Sequence, residues 1–265
     1  MSYVVEPTSG QLIPAENPPD AAPRIIDSFL VDDGRIRSVE SHCRRFGRSI
    51  YAEFPATRYL PETSDVEAFA ESLVAGLAAV MPVVGQWFPR LEYYPETDDI
   101  RFLLRPAPSR RRHTALWVPE TPDPRLKPRI KGWDLEELTA LNAAARRNGC
   151  DDALLVNPAG AAIETAFGAL AFLADGIIYA ADTGVLESVT WKLTQSLFPT
   201  AEATRSPQEL TCYPVIVGNA LHGWTDVPEI LIGSTRHRLP TEPELVRRLN
   251  TALADRAVDI RTFKN

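Results

Sequence analysis

The feature that most constrains the fold is a proline-rich segment near the middle of the chain. Four prolines fall within ten residues, from Pro119 to Pro128, with little apolar content between them. Proline fixes φ and removes a hydrogen-bond donor, so this composition favours a stiff, extended connector. At 265 residues the chain is long enough for two lobes. We expect an N-terminal α/β lobe over 1–118, a connector over 119–128 and a C-terminal α/β lobe over 129–265.

Apolar spacing in the first lobe predicts a mixture of strands and helices. Residues 25–37 are typical of a hairpin, with a turn at Asp33-Gly34. After position 65, apolar residues recur at three- and four-residue steps, which is the spacing of one helix face. The other predicted elements are helices over about 39–54 and 65–80 and strands within 86–118.

The second lobe begins with a predicted helix directly downstream of Lys131. Asp134 is placed to cap that helix, Glu137 to complete a capping box, and Gly149 to end it. Short apolar runs between turn residues then predict a meander of strands. The predicted strands lie at about 153–156, 161–164, 169–173, 177–180, 213–217 and 229–232, and the helices at about 189–197 and 242–254.

Composition and charge favour a small-molecule partner. Hydrophobic residues make up 45% and charged residues 24%, which is ordinary for a globular protein. Lys and Arg number 28 against 35 Asp and Glu, a net charge of −7. An acidic chain has no electrostatic attraction for nucleic acid in general, so we expect no nucleic-acid partner.

Three features bear on where the chain works. The first thirty residues lack the basic start and apolar run of a signal peptide. No apolar stretch approaches the roughly 20 residues that a membrane span needs. Cys43, Cys150 and Cys212 are an odd number without C-x-x-C spacing, which argues against a disulfide framework and a zinc site. We therefore expect a cytoplasmic protein with no membrane partner and no metal.

Four short segments stand out for their side chains and their order along the chain. They are His42–Phe46, Arg129–Asp134, Asp151–Thr165 and Gly184–Thr190. In this order they resemble the class IV aminotransferases, a family that includes branched-chain and D-amino acid aminotransferases and aminodeoxychorismate lyase. The resemblance covers most of the chain. It implies a two-lobe α/β (α+β) fold of the PLP fold type IV, with pyridoxal 5'-phosphate (PLP) in the cleft between the lobes, and a homodimer.

The first two segments imply two cofactor contacts. Arg45 occupies the place of the family's phosphate-binding arginine, and a guanidinium suits phosphate because it offers a planar fork of donors and stays charged. Lys131 occupies the place of the lysine that forms the Schiff base with PLP, which needs an amine that is partly deprotonated. Taken alone, Arg45 fits a solvated helix face and Lys131 an exposed lysine, and Lys127 is a nearby competitor.

The other two segments imply contacts to the pyridine ring and the phosphate. Glu164 matches the carboxylate that keeps the pyridine nitrogen protonated, which makes the ring an electron sink. Val189 and Thr190 match the residues whose backbone N–H groups meet the phosphate at a helix start, where both the free N–H groups and the helix dipole favour an anion.

Substrate contacts are expected at two further places. Arg110, in the cluster Arg110-Arg111-Arg112-His113, lies near a family turn that can reach the substrate, although a solvated turn is the competing reading. Ala220 and Leu221 are backbone candidates at a family turn that contacts phosphate and the substrate carboxylate. His222 is a further candidate, and a satisfied structural histidine is its alternative.

The sequence also departs from the family pattern. A Ser-Asn pair usually follows the glutamate, and Gly168-Ala169 stands there instead. In the fourth segment Glu187, Ser188 and Trp191 replace a proline, a glycine and an arginine.

The leading functional prediction is transamination between an amino acid or amine and a 2-keto acid. A lyase resembling aminodeoxychorismate lyase, which uses the same cofactor and releases pyruvate, is the alternative. A third possibility is a PLP-fold binding protein that has lost catalysis, which the Gly168-Ala169 departure motivates.

Overall fold

The chain folds into two units whose residue ranges interleave. The computed structural model describes residues 1–16, 19–59 and 66–263. Unit 1 contains the described residues of 1–109, 130–133 and 256–265, and unit 2 contains 110–129 and 134–255. This division differs from the predicted contiguous lobes, because the short segment around Lys131 and the last strand both bond to unit 1. The predicted lobe limits stay a proposal.

Unit 1 contains a five-stranded sheet and two helices. The sheet has the strand order β2-β1-β8-β7-β3. In α1, the buried residues Val39, Cys43, Phe46 and Ile50 recur every three or four positions and face the core. The elements are β1 (Ser2–Val5), β2 (Leu12–Ala15), β3 (Ile25–Ser28), β4 (Val31–Asp32), β5 (Arg35–Arg37), α1 (Val39–Glu53), α2 (Val66–Val80), β6 (Gln86–Trp87), β7 (Arg90–Tyr94) and β8 (Asp99–Leu103).

The predicted helices of this unit are confirmed as α1 and α2, with residue 65 outside the described residues. The predicted hairpin over 25–37 is confirmed only at its turn. Asp33-Gly34, both with positive φ, joins β4 to β5, whereas the first strand, β3, pairs with β7. The chain leaves strand geometry between Ser28 and Val31, which separates β3 from the hairpin.

Unit 2 contains a larger sheet that includes the predicted meander. Its strand order is β14-β13-β12-β11-β10-β9-β17-β18, with β15 paired to β12 and β16 to β15. The elements are β9 (Leu116–Val118), α3 (Leu135–Arg147), β10 (Asp152–Val156), β11 (Ala162–Thr165), β12 (Gly168–Ala174), β13 (Ile177–Ala180), α4 (Val189–Gln195), β14 (Thr200–Glu202), α5 (Pro207–Leu210), β15 (Val215–Asn219), β16 (Gly223–Asp226), β17 (Glu229–Ile232), β18 (Thr235–Arg238) and α6 (Pro243–Asp255).

Tight turns set the register of the meander. Between β12 and β13, Asp175 and Gly176 both have positive φ, as a two-residue hairpin turn requires. Between β10 and β11, the Asn157 side chain accepts the N–H groups of Ala159 and Ala161, both at 3.0 Å. The predicted meander is therefore confirmed.

The predicted capping box of α3 is wrong. Asp134 is the N-cap residue, but its carboxylate makes no capping bond. It accepts instead the N–H groups of Leu126 and Lys127, each at 3.0 Å, because it is buried against the proline-rich segment. Asp134 thus fixes that segment within unit 2.

The chain returns to unit 1 through β19 (Ala257–Asp259) and a 3₁₀ helix over Ile260–Phe263. β19 pairs with β5, which gives a second sheet of order β19-β5-β4-β6. Ile260 has no exposed surface and joins the core of unit 1. No described helix is long and apolar enough to cross a membrane.

Candidate active site

A buried aspartate in β3 organises the unit 1 part of the candidate site. Asp27 has no exposed surface. Its two oxygens accept the Nε and Nη2 groups of Arg45, each at 2.8 Å, and Oδ1 also lies 2.8 Å from His42 Nδ1. The Ser28 N–H donates to the same oxygen at 2.8 Å. The arginine predicted to bind phosphate is therefore held in place by a fork-to-fork ion pair.

Burial and the positive charge of Arg45 set the protonation states of Asp27 and His42. Burial alone would raise the pKa of the Asp27 carboxyl, but the Arg45 charge and the hydrogen bonds lower it well below its usual range. Burial also lowers the pKa of His42, and the positive charges of Arg45 and Lys131 lower it further. The cluster at neutral pH is therefore a carboxylate, a guanidinium and a neutral imidazole.

Lys131 is held by its backbone next to this cluster. The Ile26 N–H donates to the Lys131 carbonyl at 2.8 Å, one residue before Asp27 in the same strand. Gly132 follows with φ of +107°, and a Cβ there would lie 2.8 Å from the Ile26 nitrogen. Trp133 stacks on Phe54 with ring centroids 6.3 Å apart. Neighbouring residues of β3 thus hold both Lys131 and Arg45.

In unit 2, the predicted ring partner Glu164 lies in β11 and is paired with an arginine. Arg125 Nη1 donates to Glu164 Oε2 at 2.6 Å, and the side chains are 4% and 5% exposed. Arg125 also engages the Asp123 carboxylate through Nε and Nη2, at 2.8 to 3.1 Å. Burial would lower the pKa of Arg125, but hydrogen bonds and the charges of Asp123 and Glu164 raise it.

The same pair holds the loop that leads into α4. The Leu186 N–H donates to Glu164 Oε2 at 3.1 Å, and Arg125 Nη2 donates to the Gly184 carbonyl at 3.0 Å. Ser188 caps α4 by accepting the Trp191 N–H at 3.2 Å. Helix geometry leaves the N–H groups of Val189 and Thr190 without acceptors inside the helix, which is the arrangement expected of a phosphate contact.

The turn after β15 places His222 against Arg111. The Arg111 N–H donates to His222 Nδ1 at 3.3 Å, and burial with the charges of Arg111 and Arg110 lowers the pKa of His222 to about 4. The N–H groups of Leu221 and His222 both donate to the Asn219 side chain, at 3.0 and 2.8 Å. Arg110 is exposed, and Ala220 lies in the same turn as Leu221.

Gly168, where the chain departs from the family pattern, lies close to β15. A Cβ on Gly168 would lie 2.7 Å from Val217 Cγ1 and 3.1 Å from the Gly218 carbonyl oxygen. A side chain at position 168 would therefore require the Val217 side chain to move. The pairing of Ala169 with both Glu164 and Gly218 keeps the strand intact without the polar side chains.

The structure groups the predicted site residues by unit. Arg45 and Lys131 lie together in unit 1, and the other predicted residues lie in unit 2. Sequence reasoning missed Asp27, Arg125 and Arg111. Asp27 had a signal, since it is a charged residue in an apolar run, whereas Arg125 sits in a segment whose prolines indicated only a connector.

Three solved structures with the same fold are described as transaminases or aminotransferases. A fold IV transaminase, CpuTA1, from Curtobacterium pusillum is 20% identical, with 96% of this chain and 97% of that chain covered and a TM-score of 0.75. A hypothetical aminotransferase from Mycobacterium tuberculosis, with α-ketoglutarate and PMP bound, is 18% identical, with 96% and 99% covered and a TM-score of 0.75. A branched-chain aminotransferase from Thermoproteus uzoniensis with norvaline is 13% identical, with 98% of both chains covered and a TM-score of 0.76. These likenesses confirm the predicted fold type IV.

No curated protein sequence matches the chain. The family model for amino-transferase class IV matches residues 24–230, which is more than half of the chain and includes all four segments that carried the resemblance. The chain belongs to the class IV aminotransferase family.

Proposed function

We propose that this protein carries out the transamination of its family through Lys131, Arg45 and Glu164, with PLP as cofactor. At the level of the family, an amino transfer that depends on PLP is the function predicted from the sequence, and it is confirmed. The observation that carries the residue assignment is in β3. Its successive residues Ile26 and Asp27 bond to the Lys131 backbone and to the buried Arg45 guanidinium.

The residues fit PLP in their chemistry. A phosphate needs a cation that stays charged at any working pH. Arg45 is such a cation, and its ion pair with Asp27 fixes its orientation. A protonated ring nitrogen needs a carboxylate, and Glu164 is a buried one. An aldehyde needs an amine, and Lys131 carries one next to the Asp27 cluster. When bound, PLP supplies a ring that withdraws electrons from the substrate Cα.

Each side chain then has one task. Lys131 holds the cofactor through its amine, and once released moves the proton at the substrate Cα. Arg45 and the N–H groups of Val189 and Thr190 bind the phosphate. Glu164 holds the proton on the ring nitrogen.

An amino acid and a 2-keto acid are the proposed substrates. Arg110, Ala220, Leu221 and His222 are proposed to face them, with burial and the charge of Arg111 lowering the pKa of His222 so that it stays neutral. A neutral histidine beside arginines suits a carboxylate, because it donates one hydrogen bond without adding a charge that must be desolvated. The homodimer and the cytoplasmic location stay predictions.

Spectroscopy of the purified protein tests the cofactor assignment. We expect a visible absorbance band that borohydride reduction fixes covalently to the peptide containing Lys131. Lys131→Ala should abolish both the band and the labelled peptide. Lys127→Ala, four residues away, is the matched control and should keep them. A label on Lys127, or no PLP uptake at all, would overturn the assignment, and the latter outcome would favour the binding-protein reading.

Product analysis separates transamination from the lyase reaction. We expect amino transfer only when a 2-keto acid acceptor is present. Pyruvate released from an amino acid without any added keto acid would decide for the lyase.

A further inference from the structure

Resting on the proposed role of Glu164, we propose that Arg125 is a positioning residue that orients the Glu164 carboxylate for the cofactor ring nitrogen. Arg125 comes from the proline-rich segment rather than from any of the four segments that carried the family resemblance. It reaches Glu164 with a single 2.6 Å bond and is itself almost fully buried.

Asp123 supplies the rigidity of this arrangement. Its carboxylate takes Arg125 in a fork through Nε and Nη2, and Asp123 is fixed by its own N–H, which donates to the Val156 carbonyl at 2.8 Å. Two groups of the guanidinium are thus committed to Asp123, and Nη1 faces Glu164. A planar guanidinium held along one edge presents its other edge in a single orientation.

The pairing also places a positive charge at hydrogen-bond distance from Glu164. An ion pair with a guanidinium is made by a carboxylate, and a carboxylate is the group that holds a proton on a ring nitrogen. Arg125 is shared between two carboxylates, so it does not neutralise both. The bond from Leu186 falls on the same oxygen, Oε2, so the loop and Arg125 together fix how the carboxylate is turned.

A purely structural role for Arg125 predicts a different result. If Arg125 only tied the segment to the Gly184 loop, its replacement would weaken every ligand of the site alike. If it acts through Glu164, replacement weakens only ligands that carry the ring nitrogen. An analogue of PLP in which carbon replaces that nitrogen separates the two roles.

The experiment measures dissociation constants of PLP and of this analogue for the wild type, Arg125→Lys, Glu164→Gln and the double variant. Lysine keeps the charge that Asp123 needs but loses the fork. We expect Arg125→Lys to weaken PLP about 5- to 100-fold and to leave the analogue unchanged, with no further loss when added to Glu164→Gln, as expected for coupled residues. Arg236→Lys, which changes an arginine paired with Glu229 at an exposed site of unit 2, is the matched control and should change neither constant.

Three outcomes would overturn the proposal. Arg125→Lys could weaken PLP and the analogue equally, it could leave the dissociation constant of PLP unchanged, or it could have its full effect in the Glu164→Gln background. Wild type that binds neither compound would instead overturn the proposed function, and this proposal with it. Should Arg125→Lys fail to fold in thermal denaturation, the neutral pair Arg125→Gln with Asp123→Asn replaces it, with the same expected ratio between PLP and its analogue.

Discussion

Individual buried charged side chains hold several residues of the candidate site in place. Asp27 and Arg125 each lie in the interior and each bind several partners, and each holds a residue that the sequence marks as functional. Burial of a charge is unfavourable unless it is paired and hydrogen-bonded, so both positions depend on their partners being present. The exposed ion pairs, such as Arg247 with Glu244, contribute little to stability by comparison.

Asp27→Asn is expected to lower the free energy of unfolding by about 3–5 kcal/mol, because it leaves the Arg45 guanidinium buried without its carboxylate. It should also weaken PLP more than pyridoxal, which lacks the phosphate that Arg45 binds. Urea unfolding at neutral pH and titration with both compounds measure the two effects. Asp255→Asn, at an exposed position, is the control and should change neither.

The same variant should change the acid limb of the stability profile. The folded-state pKa of Asp27 is lowered, so its contribution is present in full above the unfolded pKa of about 3.9 and is lost as pH falls further. Wild type should lose stability below about pH 4 more steeply than Asp27→Asn. Parallel acid limbs would contradict the assignment of the ion pair.

His222 is expected to affect stability at a higher pH than Asp27 does. Its folded-state pKa is lowered to about 4 from an ordinary 6.5. Stability that depends on the neutral imidazole is therefore present above about pH 6.5 and is lost as pH falls through 4. His222→Gln should flatten the stability profile between these values in urea unfolding. Equal slopes for wild type and His222→Gln over this range would contradict the burial of the neutral imidazole.

At the scale of elements, the segment that carries Lys131 depends on one glycine. Gly132→Ala should lower the free energy of unfolding by about 1–3 kcal/mol and loosen PLP, since its Cβ would meet the Ile26 nitrogen at a positive φ. Gly160→Ala is the matched control, because Gly160 also has positive φ but nothing within 4 Å of a new Cβ. A loss no greater than that of Gly160→Ala, in thermal and PLP titrations, would show that the contact with Ile26 carries no weight.

Sequence predicted elements well where the signal was local. The spacing of Val39, Cys43, Phe46 and Ile50 specifies α1, and paired turn residues specify the meander. Prediction from the sequence failed where a side chain bonds outside its own element. Asp134 has the composition of a helix cap, but its carboxylate bonds to the proline-rich segment, and composition alone does not distinguish these uses.

The candidate site residues differ in how visible they are in the sequence, and the roles assigned to them stay a proposal. Lys131, Arg45 and Glu164 stood out because the order of their segments resembles a family, so position in the chain was informative. Asp27 and Arg125 act through tertiary contacts 18 and 39 residues away along the chain, and no local pattern encodes such a pairing.

At the scale of the whole molecule, unit 1 is completed by residues far along the chain. Ile260→Ala should lower the free energy of unfolding by about 2–5 kcal/mol, because it opens a cavity at a fully buried position. Val258→Ala, two residues earlier and 40% exposed, is the control with a much smaller expected loss. Comparable losses in urea unfolding would contradict the place of this segment in the core.

The pairing of β19 with β5 also sets an order of events during synthesis. Arg37 is made early and its partner Ala257 only after some two hundred further residues have left the ribosome. Until then β5 presents an open edge, the kind of surface that pairs with other nascent chains. All of unit 2 is translated within that interval, so the protein must either shield this edge or outpace its aggregation before the final strand arrives.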